Sequence, residues 1–557
     1  MNTKQLLLSF CLSAPLLGAT AQEAENPTRV MEMRADRMYI YPQRMNLNGE
    51  ETLGDILAMY PDLMQSGFSD LLDGYALRID NVAINSDNRV ACELIKANTI
   101  ERIQICDNTG VAKGTVGMGR VIDINLVHKQ DGWHGTAGIE AGTDNLIEPH
   151  TLARYGDRED DFITLASYAY QDRDDTQSQR QNLFTHLTHW FSPRDRLLTY
   201  ATQQYSRFRY NVLDETRVYK KSEEKGMARA RYFHTFNDAG TELLIVGSYQ
   251  HAQNPIHQQF QESSASYKIK NNSALYIVEL NTPLTRNMDM MLGVEGDFSY
   301  TNRGTNDTHY NWPGGLFYDK DLKYMESNND LYLQLNYLAG PWRFTLGDRV
   351  MFYHYAHEGM KHNDTRNNIE ASAIVSLKGH SQLQAAYHKK FLNPNFFLLY
   401  FQTEDDWRIQ KEELVARYID EAKVAYTYSR PRLTVNLASY YQKIEQSDNV
   451  WRLHASTYLK QGILALTAGA NLYVPEGSHN NFATFRLAPH LYLPHRMQVN
   501  LNSIFATHHT TLSHDEDVYM ALQWKKLWGQ HLSTALQWHD IFSHHYAAVM
   551  ATLQYRL

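Results

Sequence analysis

Five histidines near the C-terminal end have the most evident capacity for ligand chemistry in this chain. His508, His509 and His514 fall in one polar connection, and His544 and His545 in the next. If those connections are adjacent loops, neutral imidazoles from both could converge on a transition metal or a haem iron. Their spacing matches no defined metal motif, so any metal is unspecified. The plainer alternative is that histidine is a common polar residue here, since the 25 histidines are spread through regular segments as well.

Cys92 and Cys106 are the second candidate pair. In an exported protein they stand in an oxidising compartment, where a disulfide can form. The alternative is two buried thiols packing as small apolar groups. Neither version implies catalysis. The chain lacks G-x-S-x-G, H-E-x-x-H and Walker A patterns. The adjacent pairs His514-Asp515 and His539-Asp540 are no more than neighbours in sequence. No enzyme activity and no cofactor are expected.

The elements that would position these residues are strands. In the last segment Val549, Ala551, Leu553, Tyr555 and Leu557 share one parity, and Ala548, Met550, Thr552, Gln554 and Arg556 the other. A strand sends the two sets to opposite faces. Val518, Met520, Leu522 and Trp524 alternate with Tyr519, Gln523 and Lys525, and Leu532, Leu536 and Trp538 with Ser533, Gln537 and His539. Further upstream Ala422, Val424, Tyr426 and Tyr428 oppose Lys423, Thr427 and Ser429, while Met497, Val499, Leu501 and Phe505 oppose Gln498, Asn500 and Asn502. A soluble sandwich shows the same alternation, so the choice rests on the whole chain.

Residues 1–21 carry Lys4, an apolar run from Leu6 to Leu17 and the Ala19-Thr20-Ala21 end of a secretory signal. Phe10 precedes Cys11 where an acylated cysteine would follow a small residue, so no lipid anchor is expected. The formal charge of −9 argues against nucleic acid as a partner. No later run reaches the roughly 18 apolar residues of a spanning helix, and mean hydropathy is −0.51. A membrane protein of this composition is a barrel, which satisfies its backbone between strands and keeps a polar lumen. The 36 tyrosines and 9 tryptophans suit interfacial girdles, although both residues favour sheets anywhere.

From Trp133 onward, tight connections alternate with longer ones. The tight set centres on Pro193-Arg194-Asp195, Asn237-Asp238-Ala239-Gly240, Pro283-Leu284-Thr285, Ala339-Gly340-Pro341, Lys378-Gly379-His380, Arg430-Pro431, Gln461-Gly462, Pro494-His495 and Trp528-Gly529. Longer connections are expected at 210–222, 253–265, 301–328, 356–366, 390–415, 445–450, 475–480, 507–516 and 540–545, facing the cell exterior. This rhythm gives about 22 strands, the last pairing with the strand near Trp133. Residues 131–557 allow about 19 residues per strand, enough for a tilted strand and its share of two connections. Residues 22–130 lack the hairpin rhythm and form a separate small domain, with a helix over 52–60 that places Leu53, Ile56, Leu57 and Tyr60 on one face.

Within that domain Thr52-Leu53-Gly54-Asp55-Ile56-Leu57-Ala58-Met59-Tyr60-Pro61-Asp62-Leu63 resembles the helix and "PG" turn in the plug of TonB-dependent outer-membrane receptors. Leu77-Arg78-Ile79-Asp80-Asn81-Val82 resembles the plug's "IDG" strand-turn, and Asn98 through Ile105 its "IERIEV" strand. Val121 through Leu126 resembles its closing strand, and Gly110, Gly114, Gly117 and Gly119 fall in its small-residue stretch. Gly347-Asp348-Arg349-Val350 is a weaker echo in the barrel. Asn81 stands where the family has glycine, and asparagine also tolerates left-handed backbone.

The resemblance implies a mainly β protein, a transmembrane antiparallel barrel with an N-terminal α/β plug inside its lumen, in the outer membrane of a Gram-negative cell. It implies import of a scarce nutrient of the siderophore, haem, metal-complex or glycan class. Implied plug-motif residues are Ile79, Asp80, Asn81, Glu101, Arg102, Gly114, Gly117 and Gly119, with Glu101 and Arg102 set against the inner wall or on a solvated strand edge. Implied partners are outer-membrane lipid, the TonB of an energy-coupling complex and a surface lipoprotein. No clear TonB box precedes the plug; Arg29-Val30-Met31-Glu32-Met33 is the one candidate strand. The rival reading is therefore a barrel of receptor ancestry that binds or scaffolds without transporting.

Overall fold

The computed structural model describes residues 29–34, 37–45, 47, 51–60, 75–80, 82–83, 88–106, 120–127, 132–143, 145–173, 176–212, 217–260, 263–309, 322–357, 360–377, 380–392, 417–445, 449–476, 481–507, 518–541 and 548–556. Twenty-two antiparallel strands, β7 (Gly132–Gly142) through β28 (Ala548–Arg556), follow one another around a closed barrel. The ring closes where β28 pairs with β7, from Met550 opposite Gly142 to Arg556 opposite Thr136. That is the seam expected from the alternation of the last segment.

The two faces separate as the parity requires. On β28 Val549, Leu553 and Tyr555 are exposed on the outside, whereas Thr552 and Gln554 are buried inside. Likewise Leu522, Leu536 and Trp538 point out, and Gln523, Gln537 and Asn502 point in. On one strand the exposed band runs from Trp342 through Leu346 to Phe352. Ten residues at about 3.3 Å each, tilted about 40°, give a height of roughly 25 Å, which matches the apolar belt of a membrane barrel. The barrel is of the outer-membrane type.

The tight connections fall where turn chemistry puts them. Gly462 and Gly529 occupy left-handed backbone at φ 58 and 68, a region that a side chain disfavours. One expected turn is displaced: the strand Ser263–Thr285 continues through Pro283 to Thr285 with a register shift, so the reversal follows it. The expected long connections differ more. Residues 210–212 and 217–222 are strand, as are 253–260 and 263–265. Their polar residues hid the alternation because neither face there meets lipid. The expected connections at 390–415 and 507–516 lie largely outside the described residues.

Inside the barrel lies a six-stranded mixed sheet in the order β1-β2-β5-β6-β3-β4, made of β1 (Met31–Arg34), β2 (Arg37–Ile40), β3 (Tyr75–Ile79), β4 (Val82–Ala83), β5 (Ile100–Cys106) and β6 (Arg120–Leu126). β3 and β6 run parallel and the other pairs antiparallel. Two short helices, α1 (Leu53–Ala58) and α2 (Asn88–Leu94), pack on it. Ile40, Leu53, Ile56, Leu57, Ile79, Ile103 and Ile124 form an apolar centre closed to solvent. Ile163, Leu165 and Phe184 from one stretch of the wall and Tyr458, Ala465 and Tyr492 from another join this centre, so apolar patches of the barrel help to seat the sheet.

Candidate functional site

Helix α1 begins at a capping box. The Thr52 hydroxyl accepts the Asp55 N–H at 3.3 Å, and the Asp55 carboxylate accepts the Thr52 N–H at 2.9 Å, satisfying donors that a helix start leaves open. The same carboxylate meets the barrel: Lys525 Nζ stands 2.8 Å from Oδ1 and 2.9 Å from Oδ2. Burial pushes the Asp55 carboxyl up, but the Lys525 ammonium and the hydrogen bonds of Lys525 and Thr52 outweigh it and hold the group below its ordinary pKa. One side chain therefore both starts the plug helix and ties it to the wall.

The N-terminal strand is tied down on its free edge. β1 pairs with β2 on one side only. On the other, the Met31 N–H donates to Ser429 Oγ and the Met33 N–H to Gln382 Oε1, each at 2.7 Å. Glu32 forms an ion pair with Arg343 at 3.3 Å, and Arg29 reaches Ser376 Oγ at 3.4 Å. Wall side chains thus replace the strand partner that an exposed edge would otherwise invite. The candidate coupling segment Arg29-Val30-Met31-Glu32-Met33 is this docked strand.

Ile79 lies in the plug core, and Asp80 follows it at φ 48. Its N–H donates to the Ile124 carbonyl and its Oδ1 accepts the Leu126 N–H, which fixes the turn. Arg231 of the wall donates to the Asp80 carbonyl at 3.2 Å. Burial pulls down the neighbouring Arg78 guanidinium, against the opposing effect of Asp123, with which it shares a register position. Wall residue Arg154, paired with Asp161 at 2.7 Å, reaches the Val127 carbonyl just after β6.

Arg102 donates to Asn125 within the plug sheet at 3.1 Å, and Glu101 is exposed. The charged links to the wall come instead from Asp55 and Glu32, which the family motif did not single out. Of the two cysteine alternatives, the structure has the buried thiols: Cys92 on α2 and Cys106 at the end of β5 are not joined in a disulfide. Asn81, Gly114, Gly117 and Gly119 lie outside the described residues, as do His508, His509, His514, His544 and His545. Among the described residues no group of three or more His, Cys, Asp or Glu side chains is placed to hold a metal. Described histidines that face inward, including His186, His454 and His490, are spread around the wall. Their strand parity was the signal that would have found them.

A second charged assembly belongs to the wall alone. Arg349, fully buried, bridges Asp330 at 2.6 Å and Glu295 at 2.8 Å and lies over the Tyr332 ring at 4.6 Å. The Tyr332 hydroxyl donates to Glu279 at 2.7 Å. A Cβ at Gly293 would come within 2.3 Å of the Tyr332 ring, so this ring position requires a residue with no side chain. The arrangement braces four adjacent strands across the lumen face.

The plug is therefore fastened by polar groups from strands spaced around the whole ring, and its apolar centre also packs against wall residues such as Ile163, Leu165 and Phe184. No protein-family model matches the chain, and no curated protein does. Solved structures do match. The siderophore receptor PirA from Pseudomonas aeruginosa is 14% identical over 94% of this chain and 100% of that one, with a TM-score of 0.67. The copper transporter OprC is 10% identical over 95% and 99%, at 0.70. The alcaligin outer-membrane receptor FauA from Bordetella pertussis is 12% identical over 97% and 100%, at 0.67. At such identities the likeness is one of architecture, and the architecture of this chain is that of the TonB-dependent outer-membrane receptors, a plug within a 22-stranded barrel.

Proposed function

We propose that this chain is an outer-membrane receptor that imports a scarce nutrient, releasing it to the periplasm when the plug is displaced. The observation that carries this reading is how the plug is held. Its core is apolar and meets the wall at a limited set of side chains such as Ile163, Leu165 and Phe184, while its further links to the barrel at Asp55, Glu32, Met31, Met33 and Asp80 are hydrogen bonds and ion pairs. Water can take over each of these polar links as it breaks, so a pull can shift the plug without unfolding it. Siderophore receptors and a copper transporter among the structural neighbours support a transporter class. The division into a leader at 1–21, a plug at 22–130 and a barrel at 131–557 belongs to the same proposal, as does TonB as the source of the pull.

The test combines crosslinking of the full chain to the TonB C-terminal domain with growth of a deletion strain under nutrient limitation. Crosslinks to residues 22–35 and impaired growth are expected. Unchanged uptake on deletion, with no contact at that segment, would sink the transport reading in favour of a scaffold.

A further inference from the structure

Two arginines of the wall face one arginine of the plug. On β12 (Arg217–Thr235) the two-residue period turns Met227, Arg229 and Arg231 inward and the exposed Ala228 and Ala230 outward. In the plug sheet Arg78 of β3 shares a register position with Asp123 of β6. The hydrogen bond from Arg231 to the Asp80 carbonyl, 3.2 Å long, brings β12 against the end of β3. The charges of Arg229 and Asp123 act on both Arg78 and Arg231, and that of Arg78 acts on Arg231, so these groups share one site. Tyr200 of β11 (Asp195–Val212) is the register partner of Arg229, whose guanidinium stands 5.5 Å from the centre of its ring.

The charges in this site do not balance. Three guanidiniums meet one local carboxylate, Asp123. Glu295 also reaches Arg229, but Arg349 holds it at 2.8 Å within the brace already described. Arg78 is 8% exposed and Arg231 9%, so solvent ions screen them little. Among the described residues the Tyr200 hydroxyl, on a side chain 4% exposed, has no hydrogen-bond partner, and neither has Arg229 Nε. The Tyr200 ring packs in the apolar centre, and its hydroxyl lies within reach of all three arginines. Like charges opposed in a dry boundary and a buried donor left unmade are both costly. One kind of ligand answers both, an anion with several acceptor oxygens.

We propose that a small tetrahedral oxyanion of the phosphate class binds here, bridging Arg78 of the plug to Arg229 and Arg231 of the wall, with the Tyr200 hydroxyl as a further donor. Planar guanidinium forks match such oxygens in pairs, and these charge-assisted bonds are stronger than neutral ones. Chloride offers a single centre to donors that stand on three different strands, so it is the poorer bridge. Without the oxyanion the three cations push plug and wall apart; with it the same side chains draw them together. The ion is thus a removable fastener, and retention of the plug follows its concentration. This holds whether or not the barrel transports anything.

The test uses the full chain in non-ionic detergent, with inorganic phosphate as the probe and chloride at matched ionic strength as the control. Calorimetry should show saturable phosphate binding, and amide hydrogen exchange in β3 and β6 should be slower in phosphate than in chloride. Combining Arg229→Gln with Arg231→Gln should weaken phosphate binding ~100-fold, at roughly tenfold for each charge-assisted bond lost. Arg78→Gln should abolish the phosphate effect on exchange, yet leave exchange in chloride no faster than in the parent, because the repulsion across the boundary is gone. Heat-modifiable gel mobility confirms that each variant is a closed barrel. The proposal is overturned by a parent without saturable phosphate binding, by equal binding in the double variant, or by an Arg78→Gln plug that exchanges faster in both salts.

Discussion

Lys525 and Asp55, 470 residues apart in the chain, meet at 2.8 Å across the boundary between plug and wall. The contact joins the first helix of the plug to a strand near the end of the barrel. Because Asp55 also accepts the Thr52 N–H, helix initiation and plug retention share one carboxylate.

Asp55→Asn should loosen the plug while the barrel stays closed. Removing one member of a mostly buried pair costs about 3 kcal/mol. The pH dependence follows from the depressed carboxyl: its stabilisation is fully present above the unfolded-state value of about 4 and is lost as pH falls through the lower folded-state value. Urea titration of plug fluorescence in detergent at pH 7 and pH 3 checks both. The parent should lose plug stability at pH 3, and Asp55→Asn should respond less.

Paired substitution of Ser429→Ala and Gln382→Ala should free the edge of β1. The amides of Met31 and Met33 would lose their acceptors. Their hydrogen exchange should then speed up by roughly fivefold, in line with about 1 kcal/mol for each lost bond. Unchanged protection at these two amides would show that β1 is held by something other than the wall.

Arg349→Met should destabilise the barrel itself. It leaves Glu295 and Asp330 buried without their shared cation, at a cost of about 3 to 5 kcal/mol. Gly293→Val should act on the same strut by displacing the Tyr332 ring. Thermal loss of the heat-modifiable form would occur at lower temperature in both variants, and combining them should give less than the sum.

Leu346→Lys tests the lipid belt. Leu346 lies near the middle of the exposed band between Trp342 and Phe352, where a cation costs about 2 to 4 kcal/mol. His354→Lys, two residues beyond Phe352 on the same face, should fold into vesicles with nearly parental yield. Equal yields for the two would place the membrane elsewhere.

Strand identity, facing and closure were legible because lipid on one side and a polar lumen on the other impose a two-residue period. Val549, Leu553 and Tyr555 against Thr552 and Gln554 are an instance in which parity alone predicts burial. That signal fails at 210–212, 217–222, 253–260 and 263–265, where strands rise out of the lipid and both faces turn polar. The helix start was legible from Thr52 and the apolar spacing after it. What Asp55 touches was not, because a contact 470 residues distant leaves no mark on local pattern. Family resemblance pointed to Glu101 and Arg102 for wall contacts, yet a strand-end arginine with an asparagine across the ladder finds Asn125 at closer range.

The seam between β28 and β7 has a consequence for the order in which the molecule comes into being. Thr552 and Glu140, joined at 3.5 Å across it, are 412 residues apart. The plug sequence leaves the ribosome before any wall exists, and the strand carrying Lys525 emerges third from last. A chain interrupted before β28 would present two raw sheet edges and a plug with nothing around it. Closure thus serves as a final inspection: only a chain that has delivered its last strand has an inside.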